Sequence, residues 1–200
     1  MTTLYLMRHG ETLFNTQKRV QGACDSPLTA LGLEQAQLAK AYFEREGISF
    51  DAVYASTQER ATDTAKLVSG REDVTQLKGL KEMDFGIFEA QPESLLPKFR
   101  EGANSFEDLL VPYGGEDIRE VGKRVHQTIQ EVLKGTDQDS LLMVSHGAAM
   151  WGLCLDLRIT FPPGVYFSNC AICVFKVLDD ASLTLEQLIL PTQEYRVYDF

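Results

Sequence analysis

Residues 4–10 read Leu4-Tyr5-Leu6-Met7-Arg8-His9-Gly10. An apolar run from Thr3 to Met7 has the length and composition of a buried strand, and it ends in a basic pair and a glycine. Residues 141–147 repeat the arrangement as Leu141-Leu142-Met143-Val144-Ser145-His146-Gly147. Open parallel sheets bind ligands just beyond the carboxyl ends of their strands. A glycine there lets the backbone approach a ligand or turn sharply. Two His-Gly pairs at two strand ends therefore suggest one shared site, provided that the strands are neighbours.

Outward from these strands, polar residues from Arg8 to Pro27 read as a loop. Thr29 is placed to cap a helix running to about Glu46, with Gly47 as its stop. Gly32, Ala36, Ala39 and Phe43 share one face of it. Asp51–Ala55 reads as a second strand. Ser56 with Glu59 forms a capping-box pattern before a helix that buries Ala61, Ala65 and Val68 and stops near Gly70. Val74–Leu80 reads as a third strand. Ile118, Val121, Val125, Ile129 and Val132 form the buried stripe of a long helix opened by Gly114-Gly115. After the Ser140–Ser145 strand comes a buried helix over 148–157, then strands near 170–178 and 183–190. This alternation predicts an α/β fold, a three-layer α/β/α sandwich on a mostly parallel, mixed sheet of six strands. The chain reads as a single domain over 1–200. Within it, 87–114 has weak periodicity and three prolines, Pro92, Pro97 and Pro112, and reads as a lid or specificity insertion.

The formal net charge is −10, which argues against nucleic-acid binding. It leaves room for a small anion held by clustered arginines. The N-terminal apolar run is too short for a signal peptide, and no run reaches membrane length, so a cytoplasmic location with no membrane partner is expected. Cys170-x-x-Cys173 lies in an apolar, β-branched run. Residues three apart on a strand point to opposite faces, so the pair reads as buried thiols rather than a metal or redox motif. His126, one residue past Val125, reads as a partly exposed helix residue.

Arg8 precedes His9, and Arg60 falls in the first turn of the helix after the second strand. That helix start favours an anion through its free N–H groups. Two guanidinium groups, two imidazoles and a helix terminus point to phosphate.

With these residues in place, the sequence resembles the histidine phosphatase superfamily, the phosphoglycerate mutase-like enzymes. The resemblance rests on an ordered series of motifs. After Leu4–Thr12 come Gln21-Gly22, Asp25-Ser26-Pro27-Leu28-Thr29, Gly32 and Gln35-Ala36. Next are Tyr54-Ala55-Ser56, Arg60-Ala61 and Thr64-Ala65, then Leu80–Gly86, Pro112, Gly114-Gly115-Glu116 and Val144–Gly147. It implies that His9 attacks phosphorus and becomes a phosphohistidine, its other ring nitrogen held by a backbone carbonyl. Arg8, Arg60 and a protonated His146 would hold the phosphoryl oxygens. Asn15 would add a neutral donor, with Thr12, Gln21, Gly22 and Gly147 around the phosphate. Glu11 would cap or orient the loop. Glu82 would be the general acid, with Asp84 and Glu89 as alternatives. Ser56 reads as a helix cap. The implied mechanism needs no metal and no cofactor.

The sequence departs from the family pattern at Phe88-Glu89-Ala90, where an aromatic, glutamate and glycine are usual, and at Asp117, where serine is common. Only 33 residues separate Glu82 from Glu116, whereas cofactor-dependent mutases of the family carry a longer insertion. Lys98 and Arg100 are the only candidates there for the paired arginines of the mutases. The expectation is a phosphatase acting on a small phosphorylated metabolite. Mutase-type transfer is the alternative, followed by a weakly active regulatory or binding member. Monomer and homodimer both stay open.

Overall fold

A computed structural model describes residues 2–134 and 136–200. Its strands are β1 (Thr3–Arg8), β2 (Ala52–Ala55), β3 (Thr75–Gln76), β4 (Ser140–Ser145), β5 (Ile172–Val177), β6 (Leu183–Leu190) and β7 (Arg196–Asp199). Its helices are α1 (Leu13–Thr16), α2 (Ala30–Arg45), α3 (Glu59–Ser69), α4 (Ile118–Leu133) and α5 (Gly147–Asp156). The strands form one sheet in the order β3-β2-β4-β1-β5-β6-β7. β1 pairs in parallel with β4 and antiparallel with β5, so it lies at the centre. β5 and β7 run against the other five strands, which makes the sheet mixed.

Side chains alternate across the sheet, and the two core layers arise from that alternation. Leu4, Leu6, Leu141, Met143, Cys173 and Phe175 pack with Val121, Val125 and Ile129 of α4 and Met150 and Leu153 of α5. Met7, Val53, Leu142, Val144, Ile172 and Val174 pack on the opposite face with Ala36, Ala39 and Phe43 of α2 and Ala61, Ala65 and Val68 of α3. Cys170 and Cys173 fall in different layers, but only Cys173 lies on β5; Cys170 sits in the turn before it with a φ of 60°, so the expected strand starts two residues later than Cys170. Both are free thiols. Helices α4 and α5 touch backbone to backbone: a Cβ on Gly122 would sit 2.1 Å from the Gly152 carbonyl oxygen.

The expected elements form, with four corrections, one being that the expected loop from Arg8 to Pro27 holds the short helix α1 (Leu13–Thr16). The sheet has seven strands, not six. The added strand, β7, is an edge strand whose residues are mostly exposed, so it lacks the apolar run that marks a buried strand. The third strand is only Thr75–Gln76, and Lys78–Leu80 is a 3₁₀ turn. There the chain leaves the sheet edge, and Arg124 of α4 takes the carbonyls of Gly79 and Lys81. Ser56 does not cap α3. Gln58 occupies the N-cap position without a side-chain cap bond, and the Ser56 hydroxyl turns elsewhere. Thr29 does cap α2, accepting the Gly32 N–H at 3.0 Å.

The chain leaves β1 toward the α2/α3 layer and leaves β4 toward α5 in the other layer. The carboxyl ends of β1 and β4 thus flank a crevice where the winding reverses. Arg8 is in register with Ser145, and the His9 N–H donates to the Ser145 carbonyl at 3.1 Å.

Candidate active site

The strand register brings both histidines to one point. Their ring centroids are 5.1 Å apart, and both residues are buried. After β1 the chain passes close over the start of α2. A Cβ on Gly10 would lie 2.5 Å from the Gly32 carbonyl oxygen, so neither position has room for a side chain. Held in that turn, the Gly10 carbonyl accepts from His9 Nδ1 at 2.7 Å. The proton on Nδ1 leaves the lone pair on Nε2. Burial, then the charges of Arg60 and Arg8, push the His9 pKa well below the usual imidazole range. His9 is therefore neutral near pH 7.

Arg60 is fully buried, and the loop between α1 and α2 is built around it. Its Nη1 donates to the Cys24 carbonyl at 2.9 Å and to Asp25 Oδ1 at 2.7 Å. Its Nη2 donates to the Gly22 carbonyl at 3.1 Å. Gln21, in the amide orientation that satisfies both its ends, accepts from Arg60 Nε at 2.8 Å and donates to Thr12 Oγ1 and Ser26 Oγ. These bonds occupy four of the five guanidinium N–H groups. Arg8 donates from Nη1 to the Phe167 carbonyl at 2.6 Å, while its buried Nε has no partner. Burial lowers its pKa, opposed by Glu82. Gly147 opens α5 against the Arg8 side chain.

Glu82 sits at the N-terminus of α5, where backbone N–H groups are free. Its Oε1 accepts from the N–H groups of Met83 at 2.9 Å and Ala149 at 2.8 Å, and Oε2 accepts from Ala148 at 3.1 Å. A groove of about 410 Å³ borders Glu82 and is walled by Ala23, Lys81, Asp84 and Glu116 among others. The alternative acids also accept backbone N–H groups, and Asp84 lines the same groove as Glu82. Glu89 gathers the N–H groups of Gly22, Ala23, Cys24 and Phe85, and Asp84 accepts from Gly86 N–H.

Burial, then Arg60, His9 and Arg8, push the His146 pKa well below the usual imidazole range, a direction that works against the protonated ring expected from the sequence. Its Nε2 lies 2.6 Å from Ser56 Oγ, and its buried Nδ1 has no partner. Asn15 and Thr12 exchange the two bonds of a capping box on α1. Glu11 accepts the Thr29 hydroxyl at 2.8 Å and so ties the loop to the α2 cap. His126 bonds Asp156 at 2.6 Å on the α4/α5 side, away from these groups.

Sequence reading missed the residues that hold these groups in place. Ser56 meets His146. Gln58 accepts the Glu82 N–H at 2.9 Å and donates to the Gly22 carbonyl at 2.6 Å. Arg124 donates to the Glu82 carbonyl at 3.0 Å and pairs with Glu116 at 2.8 Å. Thr64 accepts the Gly10 N–H at 3.1 Å. Nothing in the sequence marked Arg124: it lies on the flank of the buried stripe of α4, an ordinary place for a charge. Among the described residues, no group of three or more His, Cys, Asp or Glu side chains gathers as a metal site. No helix among them is long and apolar enough to cross a membrane.

A probable phosphoglycerate mutase, GpmB, of Yersinia pestis is 34% identical over 169 residues, covering 81% of this chain and 77% of that protein. The solved structure of Bacillus stearothermophilus YhfR superposes with a TM-score of 0.78 at 27% identity, covering 92% of this chain and 95% of that one. The phosphoserine phosphatase of Entamoeba histolytica, solved with 3-phosphoglyceric acid, has a TM-score of 0.72 at 27% identity, covering 94% and 96%. The family model for branch 1 of the histidine phosphatase superfamily matches residues 4–187, and the chain belongs to that family.

Proposed function

We propose that the protein hydrolyses small phosphate monoesters through a phosphohistidine on His9. The observation that carries this reading is the His9 ring itself: neutral, its Nδ1–H tied to the Gly10 carbonyl, and its Nε2 lone pair left free. Two buried nitrogens without partners, Arg8 Nε and His146 Nδ1, accompany it and suit phosphoryl oxygens.

In the first step the Nε2 lone pair attacks phosphorus in line. The P–O bond to the leaving alcohol breaks as Glu82 gives that oxygen a proton. The new carboxylate is received by the N–H groups of Met83, Ala148 and Ala149. In the second step water attacks phosphorus and loses a proton to Glu82, and the P–N bond returns its electron pair to Nε2. Arg8 and Arg60 balance charge on the phosphoryl oxygens in both steps, and His146 donates to one of them. Asn15, Thr12, Gln21, Gly22 and Gly147 shape the rim, and the loop bonds of Thr12 and Gln21 make their part indirect.

Hydrolysis is preferred over transfer between carbons of one substrate for a specific reason. The mutase-like reading needs cations in the segment after Glu82. Of the two candidates there, Arg100 forms surface ion pairs with Glu107 and Asp108, each at 2.7 Å, and Lys98 is exposed, so neither is a buried cation facing His9. The 87–114 segment acts as the specificity element. It is docked to the phosphate loop by backbone bonds between 18–20 and 90–93. Free thiols and the acidic surface fit a cytoplasmic enzyme for small phosphorylated metabolites. A panel of phosphate monoesters, run in chelator and assayed for both free phosphate and isomerised ester, tests the reading. Phosphate release that survives chelator is expected. Isomerised ester as the main product, or loss of activity in chelator, would overturn it.

A further inference from the structure

Ser56, at the end of β2, is fully buried, and its Oγ lies 2.6 Å from His146 Nε2. The same oxygen accepts the Gln58 backbone N–H at 3.3 Å. A serine hydroxyl has one proton to give and two lone pairs. If His146 Nε2 also donated to it, the hydroxyl proton would be left buried with no acceptor, because Nε2 is the acceptor within its reach. Ser56 therefore donates to Nε2, and the proton of the neutral ring must sit on Nδ1. Nδ1 is the buried ring nitrogen without a partner.

We propose that Ser56 is a positioning residue that fixes His146 as the Nδ1–H tautomer, so that His146 meets a phosphoryl oxygen as a neutral donor and not as an imidazolium. The tautomer is set by the hydrogen bonds alone; its use on phosphate rests on the hydrolytic reading above. A neutral donor has a consequence for turnover. Arg8 and Arg60 already place two cations at the site, and a third would hold the inorganic phosphate product more tightly.

The test is long-range ¹H–¹⁵N NMR of the imidazole nitrogens in the ¹⁵N-labelled protein, without ligand, at neutral pH. The expected His146 pattern is a protonated Nδ1 and a pyridine-like Nε2. In Ser56→Ala the pattern should shift toward Nε2–H, with Ser56→Thr restoring it. For Ser56→Ala, kcat on a phosphate monoester should fall about tenfold, short of the loss of a whole donor. A wild-type ring protonated on Nε2, or on both nitrogens, overturns the proposal. So does Ser56→Ala with an unchanged tautomer and unchanged kcat. If the tautomer behaves as expected but no phosphate ester is turned over, the assignment of Ser56 stands and the hydrolytic reading falls.

Discussion

The ends of β1 and β4 carry the same His-Gly pair and use it in opposite ways. At His9, Nδ1 is tied to the next residue's carbonyl and Nε2 is free. At His146, Nε2 is tied to a hydroxyl and Nδ1 is free. The difference comes from the path of the chain beyond each glycine. Gly10 enters a loop that packs on Gly32, which turns its carbonyl back to the ring. Gly147 is the first residue of α5, so its carbonyl is aligned with the helix axis and unavailable to the histidine before it. One motif thus yields a candidate nucleophile where the chain loops and a candidate donor where it coils.

If that division is right, the two histidines must fail differently. His9→Ala should lower kcat by about 10⁴-fold or more and abolish any phosphoenzyme, as loss of a nucleophile does. His146→Asn should lower kcat by about 10²–10³-fold yet still accumulate label from substrate, because only a donor is lost. Equal losses in steady-state and single-turnover assays would erase the distinction.

The two rings should behave alike in one respect, their titration. Both have native pKa values depressed by burial and by the arginines. The unfolded chain therefore binds protons that the native state refuses as pH falls below about 6.5. Their contribution is fully present above that pH and is lost as pH drops toward the depressed native values. With both rings counted, urea unfolding should show stability falling by up to about 2.7 kcal/mol per pH unit below pH 6. The slope should shrink in either single variant that still folds. A slope unchanged in both would mean that the rings are not held neutral.

The third histidine gives the smallest effect. His126 shares a partly buried bond with Asp156 and lies away from both rings. His126→Asn should change stability by less than about 1 kcal/mol and leave kcat unaltered, read by thermal melts and the same ester assay. A large loss of activity would move the boundary of the site.

Periodicity made the central strands and the two helix layers legible, because buried residues such as Leu4, Leu6 and Val125 leave a pattern. The edges were less so. β7 is mostly exposed, and β3 ends where Arg124 draws the chain under α4, a tertiary event without local signature. The chemical groups His9, Arg60, Glu82 and His146 stood out by type and motif. What escaped was how they are held. Ser56 resembled a helix cap because its neighbours fit a capping box, but the buried imidazole won its hydroxyl. The downward shift of the His146 pKa was hidden for a similar reason: burial beside two arginines is a property of the folded site.

The most direct measurement of the central claim is trapping of the phosphoenzyme. The protein would be mixed with a ³²P-labelled phosphate monoester, quenched in alkaline detergent and split between alkali and acid. A phosphohistidine keeps its label in alkali and loses it in acid. Up to one such label per chain is expected, mapped to His9 and absent from His9→Ala. Label that survives acid, or steady turnover in His9→Ala, would contradict a nucleophilic His9.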